Sequence, residues 1–315
     1  MTENYSFFYL DYYNDMDEAH TEVPAFQLCA GVFVSIVFVI SMLGNSFIMW
    51  VFLRDKAWKT TSDLLLLQLT VSNLCFTATL PFAACNMLHG WIFGEWACGI
   101  FRGFLLLGLN SYAAIFTAMA FHSFVTVIQP SCLSTQNLGR HRVLISSVTI
   151  WLVSAAVSIK LAVHSYVTDP HHGFMIVCIS EMQLIEVNIQ IFLFFVIPFI
   201  MVTFCYLHMW INISSSSMSS SPRPSKITAC ITVSSLLCLT PYNILLFINS
   251  LMALGAVNYD FRGLYVINRL DFFSFILCHF CCCLSPLFQM CGTQRFRGRF
   301  KGLCSTPPEN HEDED

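Results

Sequence analysis

The sequence predicts an all-α membrane protein, a seven-transmembrane-helix bundle with a short amphipathic eighth helix. Of its 315 residues, 56% are hydrophobic and only 11% are charged, whereas a soluble domain carries about 25% charged residues. Seven runs contain no Asp, Glu, Lys or Arg, and most exceed the roughly 20 residues that a helix needs to cross the hydrocarbon core. The runs are 23–53, 64–94, 103–139, 143–159, 187–222, 227–259 and 272–294.

These runs are predicted to be membrane-spanning helices rather than strands or buried segments. A transmembrane β-barrel would show short strands of alternating polarity, whereas backbone groups in a long apolar run are satisfied within a helix. A soluble protein with seven such helices would have no polar exterior. The run 143–159 is at the lower length limit, and we expect it to extend past Lys160, whose long stem reaches the interface.

The distribution of positive charge predicts the orientation. Alternate loops hold 11 of the 15 Lys and Arg residues, whereas the tail before Val23 holds none and is acidic. The positive-inside rule therefore predicts a multi-pass membrane protein with its N-terminus outside and its C-terminus in the cytoplasm. The expected segments are an extracellular tail (1–22), the bundle (23–290), an amphipathic helix (291–303) and an acidic cytoplasmic tail (304–315).

Two of the fifteen cysteines are predicted to form a disulfide. Cys98 begins the third helix and Cys178 lies in the second outer loop, so both are expected in an oxidising compartment. Most other cysteines lie inside the apolar runs, where cysteine acts as a small apolar residue. Three adjacent cysteines on a helix, as at 281–283, cannot converge on one metal ion. We expect no metal and no cofactor.

Other functional classes are disfavoured by what the sequence lacks. No nucleophile–base arrangement or phosphate-binding loop is present, so no enzyme is predicted. A transporter would show internal repeats and paired ionisable groups at mid-membrane. Neither feature is present, and we expect no nucleic-acid partner.

Several landmarks resemble those of rhodopsin-like (class A) G-protein-coupled receptors. They are Gly44-Asn45, Trp151, Pro198 with Tyr206, Pro241 and Pro286. More specific segments resemble the chemokine-receptor subfamily. These are Thr79-Leu80-Pro81-Phe82, the Trp91-Ile92-Phe93-Gly94 stretch that leads to Cys98, and Cys282-Cys283-Leu284 before Pro286.

The resemblance implies that the N-terminal tail and the Trp91 loop capture a basic chemokine. The tail places tyrosines among carboxylates, which suits tyrosine sulfation and attracts a basic ligand over long range. The candidate contacts are Tyr5, Tyr9, Tyr12, Tyr13, Asp11, Asp15 and Trp91. A solvated, disordered tail is the alternative interpretation. Asn4 begins a glycosylation sequon on the expected outer side.

The sequence departs from the family at the positions that the resemblance assigns to activation. His122-Ser123-Phe124 replaces Asp-Arg-Tyr, and Ser123 cannot form the ion pairs of the replaced arginine. Asn73 and the bulky Tyr112 occupy the expected sodium site, so sodium binding is doubtful. Further replacements are Leu239 before Pro241, Gln289 after Pro286, and Phe275 for a pocket glutamate. No cysteine is present for the family's second outer disulfide.

Two functions therefore remain open. The chain is either a cell-surface chemokine receptor that signals to heterotrimeric G protein and/or arrestin in chemotaxis or immune responses, or an atypical scavenger receptor without G-protein coupling. A receptor for another peptide chemoattractant is a further alternative. His122, Ser123, Phe124, Tyr206, Pro241 and Pro286 are the candidate activation residues.

Three segments are predicted to act at the cytoplasmic face. The serine-rich stretch 214–225 is either a flexible linker or a phosphorylation site. Segment 295–301 interleaves Phe296 and Phe300 with basic residues, which is typical of an amphipathic helix on an anionic leaflet of the bilayer. Cys304 is a palmitoylation candidate.

Overall fold

The computed structural model describes residues 23–56, 60–128, 136–168, 176–180, 184–215, 226–257 and 261–304. Within them, seven helical segments are long and apolar enough to cross a membrane. Spans 1–7 are Val23–Arg54, Thr61–Thr77 with Leu80–His89, Gly94–Ile128, Gln136–Val163, Leu184–Ile191 with Phe192–Val196 and Ile197–Ser215, Lys226–Ala253, and Phe261–Gly292. The terminal helix is Gln294–Cys304. The predicted seven-helix bundle is confirmed, and span 4 passes Lys160 as expected.

The spans alternate in direction, so their ends lie on two faces of the bundle. The disulfide face carries the start of span 1 and the Cys98–Cys178 bond. The terminal-helix face carries the helix Gln294–Cys304. Large apolar side chains such as Leu43, Leu152 and Leu237 are exposed on the outside of the bundle. In a membrane-spanning bundle, these side chains face lipid.

Span 2 breaks where Pro81 requires it. Proline has no N–H with which to bond the carbonyl of Thr77, so the first helix ends at that residue. The N–H of Thr79 bonds instead to the oxygen of Phe76 at 3.1 Å, and its hydroxyl donates to the same oxygen at 2.7 Å. A second helix then begins at Leu80, with the proline in its first turn.

Span 5 contains one π-helical turn, Phe192–Val196. The N–H of Ile197 bonds to the oxygen of Phe192, five residues back. Pro198 follows at once and has no N–H for the carbonyl of Phe194, so the ordinary α-helical bond is missing there. The wider turn adds a residue before the proline and rotates the preceding helix Leu184–Ile191 relative to the following one.

A short hairpin covers the disulfide face. The all-α prediction did not include its two strands. Strand β1 (Ser165–Thr168) pairs antiparallel with β2 (Val177–Ser180), with Cys178 opposite Val167.

Span 3 lies at the centre of the bundle, and glycines permit its close packing. A Cβ on Gly108 would lie 2.7–2.9 Å from Phe76 atoms of span 2. A Cβ on Gly99 would lie 2.8 Å from the carbonyl oxygen of Ala162 in span 4. Small residues at such crossings allow membrane helices to approach closely.

Candidate functional site

The disulfide face is organised around the Cys98–Cys178 bond. Both cysteines are buried, their Cα atoms are 5.6 Å apart, and the bond joins span 3 to strand β2. Arg102, one turn after Cys98 in span 3, donates from Nη2 to the carbonyl oxygen of Cys178 at 2.9 Å. The predicted disulfide is confirmed, and it holds the hairpin over the bundle.

Trp91 connects the loop between spans 2 and 3 to this hairpin segment. Its backbone N–H donates to the oxygen of Ile176 at 2.7 Å, and its indole donates to the oxygen of Gly94 at 2.9 Å. Its ring centroid lies 5.2 Å from those of Phe93 and Phe101. The side chain is only 1% exposed, so Trp91 contacts protein rather than solvent. Its contact with a ligand remains a prediction.

The exposed aromatic residue of this segment is Trp96, at 90%. It is the third residue of span 3 and was not singled out from the sequence. The tail candidates lie outside the described residues, as does the glycosylation sequon. They are Asn4, Tyr5, Tyr9, Asp11, Tyr12, Tyr13 and Asp15.

A polar cluster that sequence reasoning missed lies among spans 3, 6 and 7; it consists of Arg102, Tyr242, Asn249 and Asp271. The amide of Asn249 donates to the Asp271 carboxylate at 2.6 Å. The phenol of Tyr242 interacts electrostatically with both Arg102 and Asp271. The signal in the sequence was Asp271, which directly precedes the last apolar run. An acidic residue at the end of a run is easily assigned to the membrane–water interface.

Deeper in the bundle, Phe275 stands where the family resemblance leads us to expect a glutamate. Its ring packs against that of His279. The rings of Phe275 and His279 lie 4.1 Å apart between centroids in an edge-on arrangement. The Nδ1 of His279 lies 2.6 Å from the backbone oxygen of Phe275, one turn earlier. The other face of the imidazole is near Phe76, at 4.8 Å. The carboxylate nearest to this position along span 7 is Asp271, one turn closer to the disulfide face.

Asn73 takes part in a buried amide network rather than in a carboxylate site. Its Nδ2 donates to Oδ1 of Asn45 at 3.3 Å. The Asn45 amide in turn donates to the backbone oxygens of Ser41 and Cys282, at 2.9 and 3.1 Å. Spans 1, 2 and 7 are thus joined by neutral hydrogen bonds. Tyr112 faces span 6 and bonds to Ser235.

The candidate activation residues near the end of span 3 bond within their own helix or contact span 5. The hydroxyl of Ser123 donates to the oxygen of Met119, one turn earlier, at 2.9 Å. The ring of Phe124 lies 5.8 Å from Phe204 and 5.4 Å from His208. His122 is partly buried, and its backbone oxygen accepts a bond from Thr126 at 2.8 Å.

The remaining candidates lie on other helices. Tyr206 packs against the central apolar cluster. Pro241 and Pro286 lie inside spans 6 and 7. Pro286 lies so close to Gly44 that a Cβ added to Gly44 would be 3.0 Å from the proline ring.

The terminal helix is fixed to span 1 and to the start of span 2. Phe296 is buried, and its ring lies 5.5 Å from that of Phe52. Arg299 pairs with Asp55 at 2.7 Å, and Arg295 pairs with Asp63 at 3.3 Å. Cys304 is the last residue of the helix; its palmitoylation remains a prediction.

Comparison with known proteins places these features in one family. The family model described as 7 transmembrane receptor (rhodopsin family) matches residues 44–288. Chemokine XC receptor 1 of Mus musculus is 27% identical over 284 residues, which cover 86% of this chain and 81% of the relative. C-X-C chemokine receptor type 2 of Canis lupus familiaris is 27% identical and covers 83% and 74%. Atypical chemokine receptor 2 of Mus musculus is 27% identical over 98% of this chain and 87% of the relative.

Proposed function

Because the chain belongs to the rhodopsin family of seven-transmembrane receptors, we propose that it is a cell-surface receptor that binds a basic chemokine at its disulfide face. The resemblance to the chemokine receptors named above covers 83–98% of this chain. These relatives are named as chemokine receptors, and we transfer that ligand class to this chain. In the proposed orientation, the disulfide face is extracellular, as the charge distribution predicts.

The polar cluster is the observation that carries this proposal. Asp271 is partly buried near the disulfide face, and its carboxylate is hydrogen-bonded by Asn249. Ionisable groups within a membrane bundle are costly and usually mark a functional site. A cationic group of an incoming chemokine would compensate this charge. We therefore assign to Asp271 the ligand contact that the family places one turn deeper, where this chain has Phe275.

The rest of the disulfide face supports a docking surface above this carboxylate. The disulfide holds the hairpin in place, and buried Trp91 fixes the neighbouring loop to it. Trp96 is almost fully exposed beside them, and large aromatic residues are common anchors at protein interfaces. The acidic tail would capture the ligand first, and the bundle would then receive its cationic end.

A receptor can bind a chemokine without activating a G protein. One observation favours such an atypical receptor as the second candidate. Ser123 bonds to its own helix through a short hydroxyl, whereas an arginine at this position would reach beyond it. Phe124 covers the adjacent surface of span 5. Chemokine uptake without G-protein activation is the corresponding function.

One experiment distinguishes the two candidates. Cells that express the full chain are exposed to a chemokine panel, and surface binding, uptake and G-protein activation are measured in parallel. Activation supports a signalling receptor, and uptake without activation supports the atypical receptor. In the second case, we expect His122→Asp with Ser123→Arg to increase activation, with Thr126→Ala as a control in the same helix. Absence of binding at confirmed surface expression would contradict both.

A further inference from the structure

The polar cluster contains a cation without an anionic partner. Arg102 is partly buried in span 3, and its Nη2 donates to a neutral acceptor, the carbonyl oxygen of Cys178. No ion pair among the described residues joins Arg102 to a carboxylate. An ionised group inside a membrane bundle is costly unless an opposite charge accompanies it.

Arg102 also has a hydrogen-bond donor that the protein does not use. Its Nε is buried and has no partner within the described residues. The bond to Cys178 holds the guanidinium against the hairpin, which the disulfide attaches to the same helix. The donor is therefore in a fixed position before a ligand arrives. The planar N–H groups of arginine match the two oxygens of a carboxylate.

The acidic part of the cluster has an unused acceptor beside its carboxylate. Asn249 is 6% exposed, and its Nδ2 donates to Asp271 at 2.6 Å. Its Oδ1 is buried and has no partner in the described chain. A primary ammonium has three N–H donors, so a single ammonium could satisfy both Oδ1 of Asn249 and the carboxylate of Asp271.

These unsatisfied groups select a ligand that carries both charges. A purely cationic peptide end would satisfy Asp271 but leave Arg102 unpaired. An inorganic anion would satisfy Arg102 but provide no donor for Asn249. The phenol of Tyr242 interacts electrostatically with both Arg102 and Asp271, so the two charges lie in the same part of the bundle. A short peptide segment with an ammonium and a carboxylate satisfies the whole cluster.

We propose that Arg102 is a specificity-determining residue, which binds the carboxylate of an Asp or Glu side chain in the amino-terminal segment of the ligand. The α-ammonium of the ligand is bound by Asp271 and by Oδ1 of Asn249. This inference rests on the proposed function and adds a chemical class to it. The expected ligand is a chemokine that is basic as a whole but carries an acidic residue near its amino terminus.

The probe for the test is a panel chemokine that binds to intact cells expressing the full-length receptor. Each residue of its amino-terminal segment is replaced in turn by Glu or by Gln, which differ in charge but hardly in shape. Affinities are measured by competition binding. At one position, Glu should bind about tenfold or more tightly than Gln, the effect of a hydrogen bond between charged groups. In Arg102→Gln, this preference for Glu should disappear, because the variant lacks the cation.

The comparison of paired substitutions separates a ligand contact from a structural role. Loss of the bond to Cys178 would weaken all ligand variants equally and leave the ratio of Glu to Gln affinity unchanged. Lys160→Gln is the control, because it removes an exposed cation at the end of span 4 and should retain the full preference. If Arg102→Gln abolishes binding, Arg102→Lys takes its place and should show a reduced preference, since lysine keeps the charge without the planar N–H groups.

The outcomes distinguish this inference from the proposed function. Binding with equal affinities for Glu and Gln at every position would overturn the role of Arg102 and leave the receptor a chemokine receptor. A preference for Glu that persists in Arg102→Gln would also overturn it. Absence of binding by every chemokine of the panel would overturn both.

Discussion

The phenolic oxygen of Tyr112 in span 3 lies 2.6 Å from the Oγ of Ser235 in span 6, and both residues are buried. Ser235 also donates its single hydrogen to the oxygen of Ile231 at 2.5 Å, so Tyr112 is the donor between the spans. The bulky residue that replaces a small one at the expected sodium site thus forms a direct hydrogen bond between two spans.

This direction of donation predicts unequal effects of removing each partner. Ser235→Ala leaves the buried phenol without an acceptor, which should lower the free energy of unfolding by about 1–3 kcal/mol. Tyr112→Phe leaves Ser235 bonded to Ile231 and should cost only about 1 kcal/mol. Thermal denaturation of purified receptor in detergent measures both. A larger loss for Tyr112→Phe than for Ser235→Ala would contradict the assigned donor.

The contact between spans 2 and 3 at Gly108 predicts a strict size limit. An added Cβ would lie 2.8 Å from the backbone nitrogen of Phe76, and a helix backbone cannot move aside as a flexible side chain can. Gly108→Ala should therefore destabilise the receptor by about 1–3 kcal/mol. Gly298→Ala in the terminal helix meets no atom within 4 Å and serves as the control. Equal melting temperatures for both variants would exclude this packing.

The terminal helix should depend on its buried phenylalanine more than on its ion pairs. Phe296→Ala removes a ring that is 1% exposed, which should cost about 3 kcal/mol or more. Arg299→Ala breaks a pair whose arginine is 45% exposed, and exposed pairs contribute about 0–1 kcal/mol. Proteolysis of residues 294–304 in nanodiscs reports the difference. Faster cleavage of Arg299→Ala than of Phe296→Ala would reverse this ranking.

Asp271 should contribute to ligand affinity through its charge. Asp271→Asn keeps the shape and one acceptor oxygen but removes the charge, so the affinity for a basic chemokine should fall about 30-fold or more, the equivalent of roughly 2 kcal/mol. Glu95→Gln removes an exposed charge near Trp96 and should change affinity only a few-fold because solvent screens it. Competition binding on intact cells measures both. Unchanged affinity for Asp271→Asn would show that the ligand does not reach the polar cluster.

Much of this architecture could be predicted from the sequence because lipid imposes simple constraints. A membrane span needs a long charge-free run, and each of the seven runs in the sequence corresponds to one of the seven spans. Cys98 and Cys178 stood apart from most other cysteines because they lie between the charge-free runs, on the expected outer side. The break in span 2 followed from Pro81, which removes a specific backbone bond.

Other features depend on neighbours that a single sequence does not reveal. The strands Ser165–Thr168 and Val177–Ser180 are only four residues each, and the disulfide attaches the second strand to span 3. The partnership of Asn249 with Asp271 joins two spans across a loop.

If the disulfide face binds a chemokine, cells that express the receptor must show saturable chemokine binding. Labelled chemokines are titrated on intact cells that express the full chain, with surface expression confirmed by an N-terminal epitope. We expect at least one chemokine to bind saturably and to be displaced by the same unlabelled protein. A receptor that is present at the surface and binds no member of the panel would contradict the account.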